Sequence, residues 1–123
     1  MNVVDTSAWL EYFSGGKNAD KFSAVIQNID ELIVPSICIY ELSKVILRER
    51  DESDLFQVLA AVQKGKLIEL STAISIRAAK NSIKYKLPMA DSIIYTTAER
   101  FNAIVWTQDC DFDGLPNVNY IAK

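Results

Sequence analysis

Apolar and polar positions divide the chain into short β-branched runs separated by longer segments of helical period. Residues 2–5 (NVVD) read as a strand, and Thr6 or Ser7 is placed to cap a helix carrying Ala8 to Phe13. Ser14-Gly15-Gly16 breaks that helix, and Phe22, Val25, Ile26 and Ile29 recur at helical spacing in a second one over residues 17–28. A strand is expected over 32–35, followed by a helix from the N-cap Ser36 to about residue 50, with Cys38, Leu42, Val45 and Ile46 on its apolar face. Next come a helix over 53–64 ended by Gly65 and a third strand over 67–70. A helix over 72–85 sets Ile76, Ala79 and Ile83 on one side and Arg77, Lys80 and Lys84 on another. Pro88 opens a helix through about residue 101, and strands over 103–106 and 118–121 complete the pattern.

Strands alternating with helices predict an α/β fold with a central parallel sheet of four to five strands flanked by helices. Ligands are then favoured beyond the carboxyl ends of the strands. With 123 residues and no internal repeat, a single domain over 1–123 is expected.

Composition narrows the chemistry. The chain contains no histidine, which excludes histidine general bases, histidine-dependent triads and His-ligated zinc. Its two cysteines, Cys38 and Cys110, form neither a disulfide framework nor a CxxC pair, so both are read as packing residues in a reducing cytoplasm. The start lacks a basic segment before its apolar stretch, and Pro35 and Ser36 interrupt the longest apolar run elsewhere, so neither secretion nor membrane spanning is expected. A net charge of -3 conceals a division: Lys44 to Lys86 carries nine basic and five acidic residues, a balance of +4, leaving -7 on the remainder. A basic middle between acidic ends suits a polyanion held beside carboxylates, although solvated helix faces are the more common reason for charge of this kind.

Four carboxylates stand out. Asp5 ends the first strand, where an α/β sheet presents groups to a ligand, and could equally cap the following helix. Glu41 borders an apolar helix face, where it needs a partner or a route to water. Asp91 lies in the first turn of its helix beside the stripe of Ile94, Tyr95 and Ala98, a favourable place for a negative charge in any case. Asp109 follows the fourth strand and begins a series with Asp111 and Asp113 that could be a plain acidic turn. The series does not complete an EF-hand, because no glutamate closes it and a strand precedes it. Each residue alone has an ordinary explanation, but a parallel sheet can bring the strand ends and helix starts to one rim. Four converging carboxylates require protons or cations, and an all-oxygen site without histidine or thiolate suits Mg²⁺ or Mn²⁺. Metal-assisted phosphoryl chemistry is the hypothesis that follows.

The segments VVDTSAWLEYF, PSICIYELSKV, LPMADSIIYTTAERFNAIVWTQDCDF and NVNYI occur in an order and at a spacing that resemble the PIN-domain ribonucleases. The likeness is strongest to the VapC-type toxins of toxin-antitoxin pairs and extends over nearly the whole chain. It implies a PIN-like three-layer sandwich and an Mg²⁺- or Mn²⁺-dependent endoribonuclease. Asp5, Glu41, Asp91 and Asp109 would form the metal-binding catalytic site, supported by Thr6 or Ser7 and by Thr107. Asp111 falls where many relatives keep a further acid and is a candidate to bind metal directly or through water. The resemblance also implies an RNA substrate, a homodimer and a cognate antitoxin whose C-terminal segment covers the acidic groove. Trp9, Tyr12 and Phe13 are candidates for that protein contact, with packing in the core as the alternative. Arg77, Lys80, Lys84 and Lys86, together with Lys44 and Arg48, are candidates to hold the RNA backbone by charge, with a solubilising surface role as an equal alternative.

Two other readings compete. A different Mg²⁺-dependent phosphoryl-transfer domain also places an aspartate at a strand end, but a phosphatase needs a second aspartate where Ser7 stands. A receiver domain needs a paired acid near the N-terminus, where Asn2 stands, and a lysine after a late strand, where Gln108 stands. A non-catalytic metal- or RNA-binding PIN scaffold would keep the acids without turnover.

Overall fold

The computed structural model describes residues 1–123. Five short strands form one sheet: β1 (Asn2–Val4), β2 (Leu32–Pro35), β3 (Lys66–Ile68), β4 (Ile104–Thr107) and β5 (Val118–Tyr120). All are parallel, in the order β3-β2-β1-β4-β5. Central β1 pairs Val3 with Ile33 on one side and with Val105 on the other. Six helices connect the strands: α1 (Thr6–Ser14), α2 (Ala19–Gln27), α3 (Ser36–Glu49), α4 (Glu52–Val62), α5 (Thr72–Tyr85) and α6 (Met89–Arg100).

The period of two along the strands sends alternate residues to opposite faces. Val4, Leu32 and Val34 pack with Ala8, Trp9, Phe22, Leu42 and Val62 from α1 to α4. Val3, Ile33 and Val105 pack on the other face with Leu87, Ile94, Tyr95 and Ala98 from α6 and its approach. Helices therefore cover both faces, giving the three-layer α/β sandwich expected. No helix is long and apolar enough to cross a membrane.

Several local expectations need correction. Asp5, not Thr6 or Ser7, caps α1, its Oδ1 accepting from the Ala8 amide at 2.9 Å. Ser36 is the first residue of α3, and its hydroxyl accepts from the Leu70 amide instead of capping its own helix. Gly65 does not cap α4, whose C-cap is Gln63; it lies so close to β2 that an added Cβ would meet the Leu32 carbonyl oxygen at 2.9 Å.

The largest departure is α5. Ile76 and Ile83, expected on its buried side, are exposed, and Ile74, Ala78 and Asn81 are buried instead. α5 packs against α6, where Asn81 donates to Thr96 Oγ1 at 2.9 Å and Arg77 grips Glu99 through two hydrogen bonds. Against a single helix this narrow, partly polar stripe suffices, leaving the more hydrophobic face outside.

Candidate metal centre

The strand order makes β1 the pivot, because the chain winds from it towards β3 and then returns to place β4 on its other side. The crevice beyond such a reversal is the favoured ligand position in an open parallel sheet. Asp5 leaves the end of β1 and Asp109 follows β4, while Glu41 lies in the second turn of α3 and Asp91 in the first turn of α6. The fold turns these four towards one rim, where the charges of Asp109, Asp5, Glu41 and Asp111 all reach Asp91.

Asp5 is the most deeply set, only 2% exposed. Its Oδ1 accepts from Ser7 Oγ at 2.8 Å as well as from the Ala8 amide, and its Oδ2 accepts from Thr107 Oγ1 at 2.7 Å. The carboxylate that caps α1 therefore also lies at the acidic rim. Thr107 Oγ1 in turn accepts from the Asp109 amide at 2.9 Å, and Thr6 Oγ1 donates to Glu41 Oε1 at 2.6 Å. Thr6, Ser7 and Thr107 all reach the acidic rim, with Thr6 serving Glu41 and the other two serving Asp5.

Burial pushes the Asp5 carboxyl up to about 6, against the opposing effect of its hydrogen bonds from Thr107, Ala8 and Ser7. Burial, and then the charges of Asp109, Asp5, Glu41 and Asp111, push Asp91 up to about 7. The ion pairs of the protein include none of these four acids. Negative charge is therefore concentrated without an internal cation, an arrangement that favours protonation or a bound cation. Cys38 lies fully buried close to the same group, and burial raises its thiol far above the usual range, so it offers no thiolate. The four acids offer only oxygen donors, which fit a hard divalent ion.

Asp111 is exposed in the single turn of 3-10 helix Cys110–Phe112, and its amide donates to Asp109 Oδ1 at 2.9 Å. One ligand atom from each of Asp109, Cys110 and Asp111 lies within 4.8 Å of the others. Cys110 is exposed, so only Cys38 is the packing residue expected.

Beyond the rim, Ser7 and Gln108 begin a groove of about 760 Å³ between α1, α3 and α4, lined by Leu10, Phe13, Val45 and Val58 among others. Arg48 lies along this groove. Trp9 does not: it is fully buried and stacks on Phe13 at 5.7 Å, because its position on α1 faces the sheet. Lys44, Lys80, Lys84 and Lys86 are exposed, and Arg77 is engaged by Glu99.

Two buried polar residues behind the rim carry no local signature of their role. Asn18 and Gln108 meet across 90 positions of sequence, Asn18 Nδ2 donating to Gln108 Oε1 at 3.1 Å.

A family model for the PIN domain matches residues 3–117, and the chain belongs to that family. Its fold is similar to that of a protein in a toxin-antitoxin complex from Klebsiella pneumoniae, at 24% identity and a TM-score of 0.81, covering 98% of this chain and 100% of that one. It is also similar to VapC20 of Mycobacterium tuberculosis, described as a sarcin-ricin loop cleaving toxin, at 12% identity and a TM-score of 0.79, covering 96% and 97% of the two chains. A third likeness is to DNA-bound VapBC from Salmonella typhimurium, at 16% identity and a TM-score of 0.74, covering 99% and 98%. No curated protein matches the chain at the level of sequence.

Proposed function

We propose that the protein is a Mg²⁺- or Mn²⁺-dependent endoribonuclease, the toxin of a toxin-antitoxin pair. The observation that carries this reading is the convergence of Asp5, Glu41, Asp91 and Asp109 without an internal cation, at a rim where burial, and then the neighbouring charges, raise the Asp5 and Asp91 carboxyls. These four residues would hold the ion, with Asp111 reaching it directly or through water. A divalent ion bound there supplies an acidified water and offsets charge on the attacked phosphodiester. The chain's own part is geometric: Ser7 and Thr107 fix both oxygens of Asp5, and Thr6 turns Glu41 towards the rim. With histidine absent, the carboxylates orient metal and water without needing a side-chain general base.

Lys44, Lys80 and Lys86 are exposed to meet RNA phosphates, as is Lys84 beside the Tyr85 ring, with Arg48 along the groove. The groove leading from Ser7 and Gln108 suits a segment of the cognate antitoxin, seated over Phe13, Leu10 and Val45. This assignment retains Phe13 in the protein contact and excludes the buried Trp9. The exposed Ile76 and Ile83 on α5 are surface that a second copy would cover in a homodimer. A cytoplasmic setting supplies both RNA and antitoxin.

The test is incubation of purified protein with a mixed structured RNA pool and Mn²⁺ or Mg²⁺, beside EDTA and Asp91→Asn controls. Attack by activated water should leave 5′-phosphate and 3′-hydroxyl ends. Equal cleavage in EDTA, or 2′,3′-cyclic phosphate ends, would refute the proposed chemistry. Metal binding by a folded protein that cleaves none of the RNAs would favour a non-catalytic scaffold.

A further inference from the structure

Asn18 occupies the N-cap position of α2, where an asparagine side chain normally accepts a hydrogen bond from an amide in the first turn. It makes no such bond. Its side chain points elsewhere and is almost completely buried, with 1% exposure. Nδ2 donates to Ala122 O at 3.0 Å and to Gln108 Oε1 at 3.1 Å, while the Asn18 backbone amide donates to Glu11 Oε2 at 2.9 Å. The backbone carbonyl of Ala122 can only accept, which fixes the amide orientation and makes Gln108 Oε1 the second acceptor. A residue suited to a local cap has been diverted to a contact 90 positions away.

That contact falls at a critical point. Gln108 lies between Thr107, whose hydroxyl grips Asp5, and Asp109, whose amide grips that same hydroxyl. The Gln108 amide donates to Ser7 Oγ at 3.3 Å, and Ser7 donates to the other oxygen of Asp5. The Gln108 side chain is the anchor extending away from this network. The Thr107 carbonyl is tied separately by the Ile121 amide at 2.8 Å, and Ala122 also rests on Asn18.

We propose that Asn18 is a positioning residue for the metal centre, locking Gln108 so that the turn between Thr107 and Asp109 holds Asp5 and Asp109 at a fixed separation. This inference rests on the proposed metal-dependent reading of the rim. Outer partners that orient metal ligands typically change affinity 10- to 100-fold when removed. Loss of Asn18 leaves Gln108 Oε1 buried without its donor and frees the turn, so its effect should reach the metal through both aspartates.

The test is Mn²⁺ binding by calorimetry to metal-free wild type, Asn18→Ala, Gln108→Ala, the double variant and Val25→Ala, with thermal stability measured in parallel. Val25 is a buried residue of α2 outside this network. The expected result is about tenfold weaker Mn²⁺ binding in each single variant. The double variant should be little worse than either single, because both break the same link. Val25→Ala should lose stability without losing affinity. If Asn18→Ala does not fold, Gln108→Ala carries the same prediction. Affinity within twofold of wild type in a folded single variant, or a comparable loss in Val25→Ala, would overturn the positioning role. Failure of wild type itself to bind Mn²⁺ would instead overturn the metal-dependent reading on which the role rests.

Discussion

Replacing Asp5 by asparagine should stabilise the metal-free protein at neutral pH while abolishing its response to metal. The carboxyl lies at about 6 in the fold against 3.8 for the unperturbed group. At about 1.4 kcal/mol per pKa unit, ionising it in the fold costs about 3 kcal/mol relative to the unfolded chain. Because the folded value is raised, its stabilising contribution is complete below pH 3.8 and is lost as pH rises through about 6. Asparagine avoids that loss and retains an oxygen for the Ala8 amide and the Ser7 hydroxyl. Its Nδ2 can donate to Thr107 Oγ1, whose proton turns towards Ser7 Oγ, 3.4 Å away. For a domain of this size the gain at pH 8 corresponds to a Tm higher by about 10 to 12 °C. The difference should vanish near pH 4. Excess Mn²⁺ at pH 7.5 should reverse the order, since only the intact site gains stability by binding. Scanning calorimetry of both proteins in EDTA and in Mn²⁺ across this pH range reads these effects. An Asp5→Asn protein less stable than wild type in EDTA at pH 8, or a gap unchanged between pH 4 and 8, would refute the argument that buried charge at Asp5 strains the metal-free fold.

Lys86 ends α5 in the left-handed conformation at φ 57, where a side chain is disfavoured. Lys86→Gly should therefore raise stability by about 1 kcal/mol in urea denaturation, and an unchanged midpoint would show that the strain is absent. Gly65→Ala should destabilise by about 1 to 3 kcal/mol, because the new methyl would meet the Leu32 carbonyl oxygen and, at 3.0 Å, the side chains of Leu32 and Val34; equal stability would mean that β2 yields at no cost. Arg77→Ala should leave RNA affinity within twofold, since Glu99 already engages the guanidinium. Combined alanine substitution of Lys80, Lys84 and Lys86 should weaken binding and flatten its salt dependence. Filter binding at several ionic strengths would separate the two, and a loss in Arg77→Ala as large as in the triple variant would count against this division.

Much of the fold was legible because its signals are local. The β-branched run before Asp5 and the Ile94, Tyr95 and Ala98 stripe identify β1 and the buried side of α6. Position within these elements also singles out Asp5 and Asp91, since a strand end and a helix first turn are readable along a few residues. Periodicity does not reveal which side of α5 is exposed, because it reports an apolar stripe without naming its partner. Once α5 rests on α6 through Ala78, Ile74 and Asn81, a small and partly polar face is the better fit, and Ile83 remains 83% exposed.

The sequence by itself determined which groups could do chemistry: oxygen ligands, no imidazole, and a parallel sheet with carboxylates at strand ends and helix starts. Only the tertiary structure decided how those groups are held. It gave Asp5 a cap and two hydroxyl partners at once, set Cys38 under the acids as an inert thiol, and spent Asn18 on Gln108 instead of on its own helix. Local conformation follows from neighbours in the chain, whereas burial, charge crowding and hydrogen bonding depend on partners that only the packing of distant segments brings within reach.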